Sequence, residues 1–405
     1  MPYKQSVYVL DDDADFRLDL GEALEAEDCD VVGAADPAAV DMARLAATDI
    51  LLLDLAMPTL DGIGMLERLA ALPRRPALIF ISGSGEELLR TATTLARSRG
   101  LVVLGALQKP FAPADVLALA CRHGSPAAAR PAAGPTDPVE VRRALAAALD
   151  EGTLPVLFQP LAACADLVPV GAEALLSDHL PGFGPIGPAQ LVLAAEEDPA
   201  LMIRMSHHVL RIASQTCAAW RRHGVDAFVS VNMPLHVLTA PDAVAEISAI
   251  MEQAGAPASD VILELTEDAL YDSSTEALAA LARLRLAGFG LALDDVGKRQ
   301  SGLLQLANLP VTEMKIDLEF MRQARIWTKP RSIFGSLAEL GRELGLKVVA
   351  EGVETAEDWE LARACGIDYV QGFMISRKRP AEDIITLLTR GQPIDTSEGR
   401  RHKAV

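Results

Sequence analysis

The fold is decided by the stretch Leu291-Ala-Leu-Asp-Asp-Val-Gly-Lys-Arg-Gln-Ser-Gly302. An apolar run ends abruptly in two adjacent carboxylates, Asp294 and Asp295, and a polar loop follows. Neighbouring anions at the end of a buried strand are costly unless something compensates them. Hard divalent cations, which take oxygen ligands, would remove that cost. A solvated strand end with a helix-capping Asp explains these residues equally well, so the rest of the chain decides.

The same pattern recurs along the second part of the chain. Apolar runs separated by amphipathic helical segments carry a polar side chain near their ends: Glu173, Asn232, Glu264, Asp294, Lys315, Glu351 and Gln371. Strands that alternate with helices in this way predict an α/β domain of the (β/α)8 TIM-barrel type, whose active sites gather at the carboxyl ends of the strands. An open doubly wound sheet is the alternative, and it would bring together only two or three of these residues.

The candidate ligands of this predicted barrel are all oxygen donors. The absence of His and Cys among them favours Mg²⁺ or Mn²⁺ over Zn²⁺. Asp294 and Asp295 could serve two metal ions about 3.5–4 Å apart, which is the arrangement used for in-line attack on phosphodiesters. Lys315 could orient the attacking water or stabilise the charge on the phosphorane, and Glu351 could accept a proton. Taken singly, each of these residues could equally be a turn residue or a solvated charge.

The first 123 residues show four shorter apolar runs with polar ends. Their alternation with helical segments predicts a doubly wound parallel sheet, in which ligands bind outside the carboxyl ends of the strands. Those ends combine an acidic cluster for a cation, a lone carboxylate, a hydroxyl and an ammonium: Asp11 with Asp12, Asp54, Ser82 and Lys109. The set is suited to holding a phosphoryl group.

This set resembles the flavodoxin-like receiver domain of two-component response regulators. The resemblance implies that Asp54 accepts a phosphoryl group from a sensor histidine kinase or phosphotransfer protein. It also implies that Asp11, Asp12 and Asp54 hold Mg²⁺, while Ser82 and Lys109 contact the phosphoryl oxygens. The physics agrees, because a carboxylate attacks phosphorus only if neighbouring cations neutralise the repulsion between anions.

One position departs from the receiver pattern. Ala106 stands three residues before Lys109, where receivers usually carry a Tyr or Phe that acts as a rotameric switch. We therefore predict that phosphorylation is communicated through the strand at Leu101–Leu107 and the adjoining helix surfaces.

Residues 124–136 are rich in Pro, Ala and Gly and predict a linker. Asp137-Pro138 then predicts the start of a helix, with Asp as N-cap and Pro at the first helical position. The second domain is expected to span 137–392, and a polar tail to occupy 393–405.

The second domain resembles EAL-type cyclic di-GMP phosphodiesterases over essentially all of 150–385. The motifs that carry the resemblance are Glu173-Ala-Leu-Leu176, Ser230-Val-Asn232, Glu264-Leu-Thr-Glu267, Leu293-Asp-Asp295, Met314-Lys-Ile-Asp317, Ala350-Glu-Gly-Val-Glu354 and Val370-Gln-Gly-Phe373. The resemblance implies hydrolysis of cyclic di-GMP to linear pGpG with two Mg²⁺ or Mn²⁺ ions. A phosphorylation-regulated enzyme, with a homodimer or higher homo-oligomer as its assembly, is the expectation for a receiver joined to such a domain.

The resemblance also implies individual roles. Glu173, Asn232, Glu264 and Asp294 would hold the first metal, and Asp294 with Asp295 the second. Lys315, Glu351 and Gln371 would complete the site, and Glu267 would anchor the loop after Asp295. The remaining candidates would line the substrate or support the ligands from behind: Leu175, Asp317 and Glu354.

Two departures from the EAL pattern bear on catalysis. Ser177-Asp178 stands where the family usually continues with a substrate-holding Arg, and Val296–Gly302 replaces Phe-Gly-Thr-Gly-Tyr-Ser-Ser. Lys298 and Arg299 in that loop could meet substrate phosphates or be solvated charges. Two other functions therefore stay open: a catalytically silent domain that binds cyclic di-GMP or a partner protein, and a metal-dependent phosphodiesterase with another substrate.

Composition and net charge argue against several classes of protein. The formal charge of −19 argues against general binding to DNA or to an anionic membrane. The five cysteines show no paired metal spacing, which fits a reducing, cytoplasmic location. The sequence shows neither a signal-peptide pattern nor an apolar run of the ~20 residues that cross a membrane.

Overall fold

The computed structural model describes residues 4–27, 29–35, 40–57, 62–83, 86–121, 137–266, 274–297 and 306–394. The chain divides into two compact units, Met1–Ala132 and Ala133–Val405. The predicted linker over 124–136 and nearly all of the predicted tail lie outside the described residues. Within the described part of the chain, no helix is long and apolar enough to cross a membrane.

A parallel five-stranded sheet forms the first unit, in the order β2-β1-β3-β4-β5. Its strands are β1 (Ser6–Leu10), β2 (Asp30–Ala35), β3 (Ile50–Asp54), β4 (Ala77–Ser82) and β5 (Val103–Gln108). Its helices are α1 (Ala14–Ala26), α2 (Met42–Ala47), α3 (Gly62–Ala70), α4 (Glu86–Ser98) and α5 (Pro113–Cys121). Every residue of β3 and β4 is buried, as uninterrupted apolar strands covered on both faces require. The doubly wound prediction is confirmed.

Eight strands close into a barrel in the second unit, in the order β10-β11-β12-β13-β14-β15-β6-β7. They are β6 (Val156–Ala163), β7 (Pro169–Leu176), β10 (Phe228–Asn232), β11 (Val261–Thr266), β12 (Gly290–Val296), β13 (Glu313–Ile316), β14 (Lys347–Ala350) and β15 (Tyr369–Val370). A small hairpin of β8 (His179–Leu180) and β9 (Gly184–Pro185) lies beyond β7 in sequence. The barrel prediction is confirmed, and the open-sheet alternative is wrong.

Helices separate the strands of this unit, as the alternating pattern predicted. They are α6 (Pro138–Asp150), α7 (Pro188–Glu196), α8 (Pro199–Arg222), α9 (Leu235–Leu238), α10 (Ala243–Ala254), α11 (Thr275–Leu286), α12 (Leu318–Ala324), α13 (Thr328–Glu343), α14 (Ala356–Ala364) and α15 (Ala381–Arg390). As predicted, α6 begins with Asp137 as N-cap, whose side chain accepts a hydrogen bond from the Val139 backbone nitrogen.

One strand of the barrel runs against the others. Strand β6 is antiparallel to both β7 and β15. The connection from Ala163 to Pro169 is a tight turn, in which Leu167 takes a left-handed φ of 61°. So short a connection can reverse the chain, whereas a parallel pairing needs a crossover of a dozen or more residues. The amino-terminal half of β6 therefore lies at the end of the barrel where the parallel strands have their carboxyl ends.

Candidate functional site

A buried lysine occupies the centre of the barrel site. Lys315 in β13 is fully buried, and its ammonium is surrounded by carboxylates. The distances from Lys315 Nζ are 2.8 Å to Glu351 Oε1, 3.0 Å to Glu264 Oε1, 3.3 Å to Glu173 Oε2 and 3.6 Å to Asp294 Oδ1. Burial alone would lower the pKa of Lys315, but the carboxylates outweigh it and raise the pKa well above its ordinary value. The ammonium is therefore a fixed positive charge.

Glu173 is held as an anion by two amides and the ammonium. Asn232 Nδ2 donates to Glu173 Oε1 over 2.7 Å, and Gln371 Nε2 donates to Glu173 Oε2 over 2.8 Å. Burial opposes ionisation here, but Lys315 and the two amides outweigh it, so the pKa of Glu173 is lowered. The residue lies inside β7 rather than at its end, and it faces the barrel interior opposite Gln159.

Glu264 is the least satisfied carboxylate of the group. The residue is 1% exposed, and neither of its side-chain oxygens makes a hydrogen bond of good geometry to the described residues. The 3.0 Å ion pair with Lys315 lacks hydrogen-bond geometry. Burial, and next the charge of Glu173, raise the pKa of Glu264 well above its ordinary value. Two buried oxygens with nothing to accept from are suited to a cation.

A bulge brings Asp294 and Asp295 to the same place. The register between β12 and β13 shifts between Leu293 and Val296, so that the two Asp together oppose one residue of β13. Asp295 takes a left-handed φ of 59°, and its backbone nitrogen donates to Asp294 Oδ1 over 2.8 Å. Successive strand residues otherwise point to opposite faces, so the bulge is what allows both carboxylates to reach the mouth.

These two carboxylates meet Glu351, which directly follows β14. One oxygen from each of Asp294, Asp295 and Glu351 lies within 4.8 Å of the others. Burial raises the pKa of Asp294, and it raises the pKa of Glu351 to about 8. A divalent cation would remove the repulsion that keeps protons on such a group. The donor set is made of oxygens throughout, and it fits Mg²⁺ or Mn²⁺.

Several predicted residues lie outside this group. Asp317 caps α12 by accepting from the Glu319 backbone nitrogen over 2.8 Å, and Glu354 pairs with Arg325 over 3.2 Å. Leu175 is half-buried on β7, two residues after Glu173. Glu267 and the divergent residues 298–302 lie outside the described residues. The roles assigned to all of these residues stay predictions.

The sequence reasoning missed two polar residues inside the barrel. Gln159 Oε1 accepts from Gln371 Nε2 over 3.2 Å, although Gln159 sits near the start of β6 and not at its end. Glu313 lies two residues before Lys315 on the same face of β13, is 2% exposed, and has its pKa raised to about 7 by burial. In both cases the sequence could have indicated the residue, because each is a polar side chain within an otherwise apolar strand.

The first unit gathers a smaller site around Lys109. Its Nζ lies 2.6 Å from Asp11 Oδ2 and 2.7 Å from Asp54 Oδ2. Burial alone would lower the pKa of Lys109, but these two carboxylates raise it, while burial raises the pKa of Asp11. Asp11, Asp12 and Asp54 each offer an oxygen within 4.8 Å of the others, and Asp12 is exposed. These three carboxylates could hold a cation, and the exposure of Asp12 would leave one side of that cation open to solvent.

The remaining receiver candidates border this site. Ser82 ends β4, is fully buried, and its carbonyl accepts from the Lys109 backbone nitrogen over 3.0 Å. An unpredicted aromatic pair also adjoins Lys109, because its ammonium lies 4.3 Å from the Phe16 ring centroid and Phe16 packs edge-on against Phe111 at 5.8 Å.

Comparisons with known proteins identify the families of both domains. The family model of the EAL domain matches residues 142–378, and that of the response regulator receiver domain matches residues 7–120. The cyclic di-GMP phosphodiesterase RocR of Pseudomonas aeruginosa is 28% identical over 340 residues, which cover 83% of this chain and 86% of RocR. The receiver-before-EAL order of the two family matches is also that of RocR.

Two further relatives match the barrel part. A solved structure of the PaMucR phosphodiesterase in complex with c-di-GMP is 31% identical with a TM-score of 0.57, and the match covers 60% of this chain and 99% of that one. An uncharacterized protein of Azorhizobium caulinodans is 33% identical over 235 residues, which are 57% of this chain but only 32% of the relative. The likeness to these proteins is therefore a likeness of the barrel.

Proposed function

This chain belongs to the EAL domain family, with a response regulator receiver domain ahead of the EAL domain, and on that premise we propose that it hydrolyses cyclic di-GMP to linear pGpG under the control of phosphorylation. The observation that carries the proposal is the buried Lys315 ammonium among four carboxylates at the barrel mouth. The similarity to RocR, which is named a cyclic di-GMP phosphodiesterase, and to the c-di-GMP complex of PaMucR supports cyclic di-GMP as the substrate.

We propose that two Mg²⁺ or Mn²⁺ ions bind at this site. Glu173, Asn232, Glu264 and Asp294 are the ligands for one ion, and Asp294 with Asp295 for the other. When bound, the ions would supply positive charge at the phosphoryl oxygens and make water a better nucleophile. The Glu264 oxygens without hydrogen bonds and the raised pKa of Asp294 support this assignment, because the single Lys315 ammonium is shared among four carboxylates and compensates their charge only in part.

Lys315 and Glu351 are proposed to act on the attacking water. They form the shortest ion pair of the site, at 2.8 Å, so a water oxygen held by the ammonium lies within reach of the carboxylate. Glu351 takes a proton as the water oxygen bonds to phosphorus, and the ester bond to the sugar O3′ breaks. A proton then reaches the leaving oxygen, which yields the free 3′-hydroxyl and the 5′-phosphate of pGpG.

A direct assay tests this proposal. The purified full chain is incubated with Mg²⁺ or Mn²⁺ and cyclic di-GMP, and pGpG is followed by chromatography. Asp294→Ala should abolish turnover, whereas the matched carboxylate change Glu339→Ala should not, because Glu339 lies on the exposed face of α13. Substantial metal-dependent turnover by Asp294→Ala would show that the ligand assignment is wrong.

A silent cyclic di-GMP sensor is the second candidate function. The observation that favours it is the replacement of the usual loop after Asp295 by Val296-Gly-Lys-Arg-Gln-Ser-Gly302. The same assay separates the two functions, since a sensor binds cyclic di-GMP without releasing pGpG. If the chain neither hydrolyses nor binds cyclic di-GMP, the result would point to another phosphodiester substrate or to a purely protein-binding role.

Phosphorylation control is proposed to begin at Asp54. Its carboxylate lies beside the Lys109 ammonium and the candidate cation ligands Asp11 and Asp12, which together would neutralise the incoming phosphoryl group. A sensor histidine kinase or phosphotransfer protein is the proposed donor.

A further inference from the structure

Glu351 stands at the beginning of a loop and not inside a strand. The loop comprises residues 351–355, between the end of β14 and the start of α14, and we call it the Glu351 loop. The Glu351 backbone nitrogen donates to the Ile316 carbonyl over 3.2 Å, which continues the pairing of β13 with β14 by one bond. The distance of 2.8 Å between the Glu351 carboxylate and Lys315 Nζ therefore depends on how the following residues are held.

The turn directly after Glu351 is fixed from the side of α12. Gly352 takes a left-handed φ of 67°, which is readily accessible only to glycine. A Cβ atom on Gly352 would lie 2.6 Å from Leu318 Cβ, so the first residue of α12 packs directly against the turn. The Gly352 carbonyl accepts a hydrogen bond from Arg325 Nη2 over 3.0 Å. Both ends of α12 thus contact the residue that follows Glu351.

Arg325 holds the Glu351 loop through more than this carbonyl. Its Nε and Nη2 both donate to the Asp358 carboxylate, with 2.6 Å between Nη2 and Asp358 Oδ2. Its Nη1 donates to Glu354 Oε2 over 3.2 Å. A guanidinium is a rigid planar fork, so binding one carboxylate with two nitrogens fixes the direction of its other donors. The orientation of Arg325 towards the Gly352 carbonyl is therefore set by Asp358.

Asp358 connects the guanidinium to the far end of the Glu351 loop. Its side chain is fully buried, and Oδ2 accepts from the backbone nitrogens of Glu354 and Thr355 over 2.8 Å each. The Asp358 nitrogen donates in return to Thr355 Oγ1 over 3.2 Å, which completes a capping box at the start of α14. A capping box needs no cation to begin a helix. The bond from Arg325 to the Gly352 carbonyl lies outside α14 and acts on the residue beside Glu351.

We propose that Arg325 is a positioning residue for hydrolysis, because it fixes the Glu351 loop and thereby holds the Glu351 carboxylate beside the Lys315 ammonium. The inference rests on the proposed function, since it takes Glu351 as the group that accepts a proton from the attacking water. Arg325 acts through the Gly352 carbonyl and through Asp358, which lie behind the site.

Steady-state kinetics of the full chain with cyclic di-GMP and Mg²⁺ test this role. Arg325→Gln releases the Glu351 loop, and a misplacement of about 1 Å can cost about 100-fold in rate. We expect kcat to fall about 10- to 100-fold while KM changes by less than about twofold, because the ligands that hold the substrate stay in place. The matched control is Arg363→Gln, which removes an exposed pair with Glu360 on α14 and should leave kcat unchanged. An unchanged kcat in Arg325→Gln would overturn the proposal.

Arg325→Lys separates positioning from stability. A lysine keeps a positive charge beside the buried Asp358 carboxylate, but it lacks the fork that also reaches the Gly352 carbonyl. We expect Arg325→Lys to unfold at a temperature near that of the wild type and still to lose most of the kcat that Arg325→Gln loses. Full turnover by Arg325→Lys would show that the charge suffices, and the positioning role would be wrong.

A double-mutant cycle with Glu351→Gln tests whether Arg325 acts through Glu351. If it does, adding Arg325→Gln to Glu351→Gln should lower kcat by less than about twofold, since the group to be positioned is already lost. A further loss as large as that in the single variant Arg325→Gln would show an independent effect and overturn the proposal.

Hydrogen exchange separates this inference from the proposed function. The amides of residues 351–355 should exchange faster in Arg325→Gln than in Arg363→Gln, whereas those of α8 should be the same in both variants. If the wild-type chain releases no pGpG, the proposed function fails, and the exchange result alone decides whether Arg325 positions the Glu351 loop. Equal exchange of these amides in the two variants would overturn the inference whether or not the chain is an enzyme.

Discussion

Lys109 and Lys315 are two lysines placed among carboxylates at the carboxyl ends of parallel strands, yet they occupy very different surroundings. The Lys109 side chain is 24% exposed and meets two carboxylates at the edge of an open sheet. The Lys315 side chain is fully buried and meets four inside a closed barrel. An open sheet brings two or three strand ends together, whereas a closed barrel brings all of them. The open site suits transfer from a protein partner, and the enclosed site suits hydrolysis of a small ligand.

Removing the ammonium should have a much larger effect at Lys315 than at Lys109. Lys315→Met leaves four buried carboxylates without their cation, so turnover should fall about 100- to 1,000-fold, as when one donor to a transition-state oxygen is lost. Loss of one partner from a buried ion pair should also lower the free energy of unfolding by about 3–5 kcal/mol in the absence of metal. Turnover and thermal unfolding measure the two effects.

Two lysine variants serve as comparisons for that experiment. Lys347→Met removes a surface ion pair with Asp368 and should change the free energy of unfolding by less than about 1 kcal/mol. Lys109→Met should destabilise the protein less than Lys315→Met does and should leave turnover of the unphosphorylated chain near that of the wild type. Equal destabilisation by the Lys109 and Lys315 changes would contradict the difference in burial.

The stability of the barrel should depend on pH, because burial raises the pKa values of two of its carboxyl groups. The pKa of Glu351 rises from 4.5 to about 8, and that of Glu313 from 4.5 to about 7. The folded chain therefore binds more protons than the unfolded chain between these values. The stabilising contribution is fully present below pH 4.5 and is lost as the pH rises through about 7 and then 8.

We accordingly expect the metal-free chain to unfold at a lower temperature at about pH 9 than at about pH 6. Each kcal/mol lost corresponds to roughly 2–4 °C for a domain of this size. Mg²⁺ should reverse the trend, because metal ligands must lose their protons to bind. Glu351→Gln should remove the loss near pH 8 and leave that near pH 7. A metal-free melting temperature that rises with pH would contradict the raised pKa values.

Phosphorylation of the open site should have a smaller effect on the closed one. Acetyl phosphate is expected to change turnover of the native chain by about fivefold or more, a typical coupling between two sites. Asp54→Asn should abolish the response while keeping the turnover of the untreated chain. An equal response in both proteins would disconnect the receiver from the barrel.

Hydrogen exchange gives the smallest expected signal. Because Ala106 replaces the usual aromatic switch, phosphorylation should change amide exchange along Leu101–Leu107, which includes most of β5. The aromatic pair of Phe16 and Phe111 beside Lys109 offers a second reporter. Unchanged exchange along the strand would rule out the predicted route.

The sequence anticipated both folds because local patterns predict most of the strands and helices, although β2 was not among the four apolar runs of the first unit. Uninterrupted apolar runs such as β3 and β4 predicted buried parallel strands, and the polar residues after them predicted where ligands meet. The prediction missed Gln159 because it looked only at the carboxyl ends of strands. The residues of a single strand do not indicate whether it runs parallel or antiparallel to its neighbours. The antiparallel course of β6, which places Gln159 at the mouth, could therefore not be predicted from the sequence.

The sequence alone determined which side chains the site contains. They are an excess of carboxylates, two amides and one lysine, in or directly after strands that must be buried. Only the tertiary structure decided how they meet. Closure of the barrel brings Lys315 against Glu173, 142 residues away in sequence, and the bulge in β12 directs two consecutive Asp to one place. The reason is physical, because hydrophobic patterning acts along the chain, whereas charge pairing depends on distances that exist only after the strands have closed.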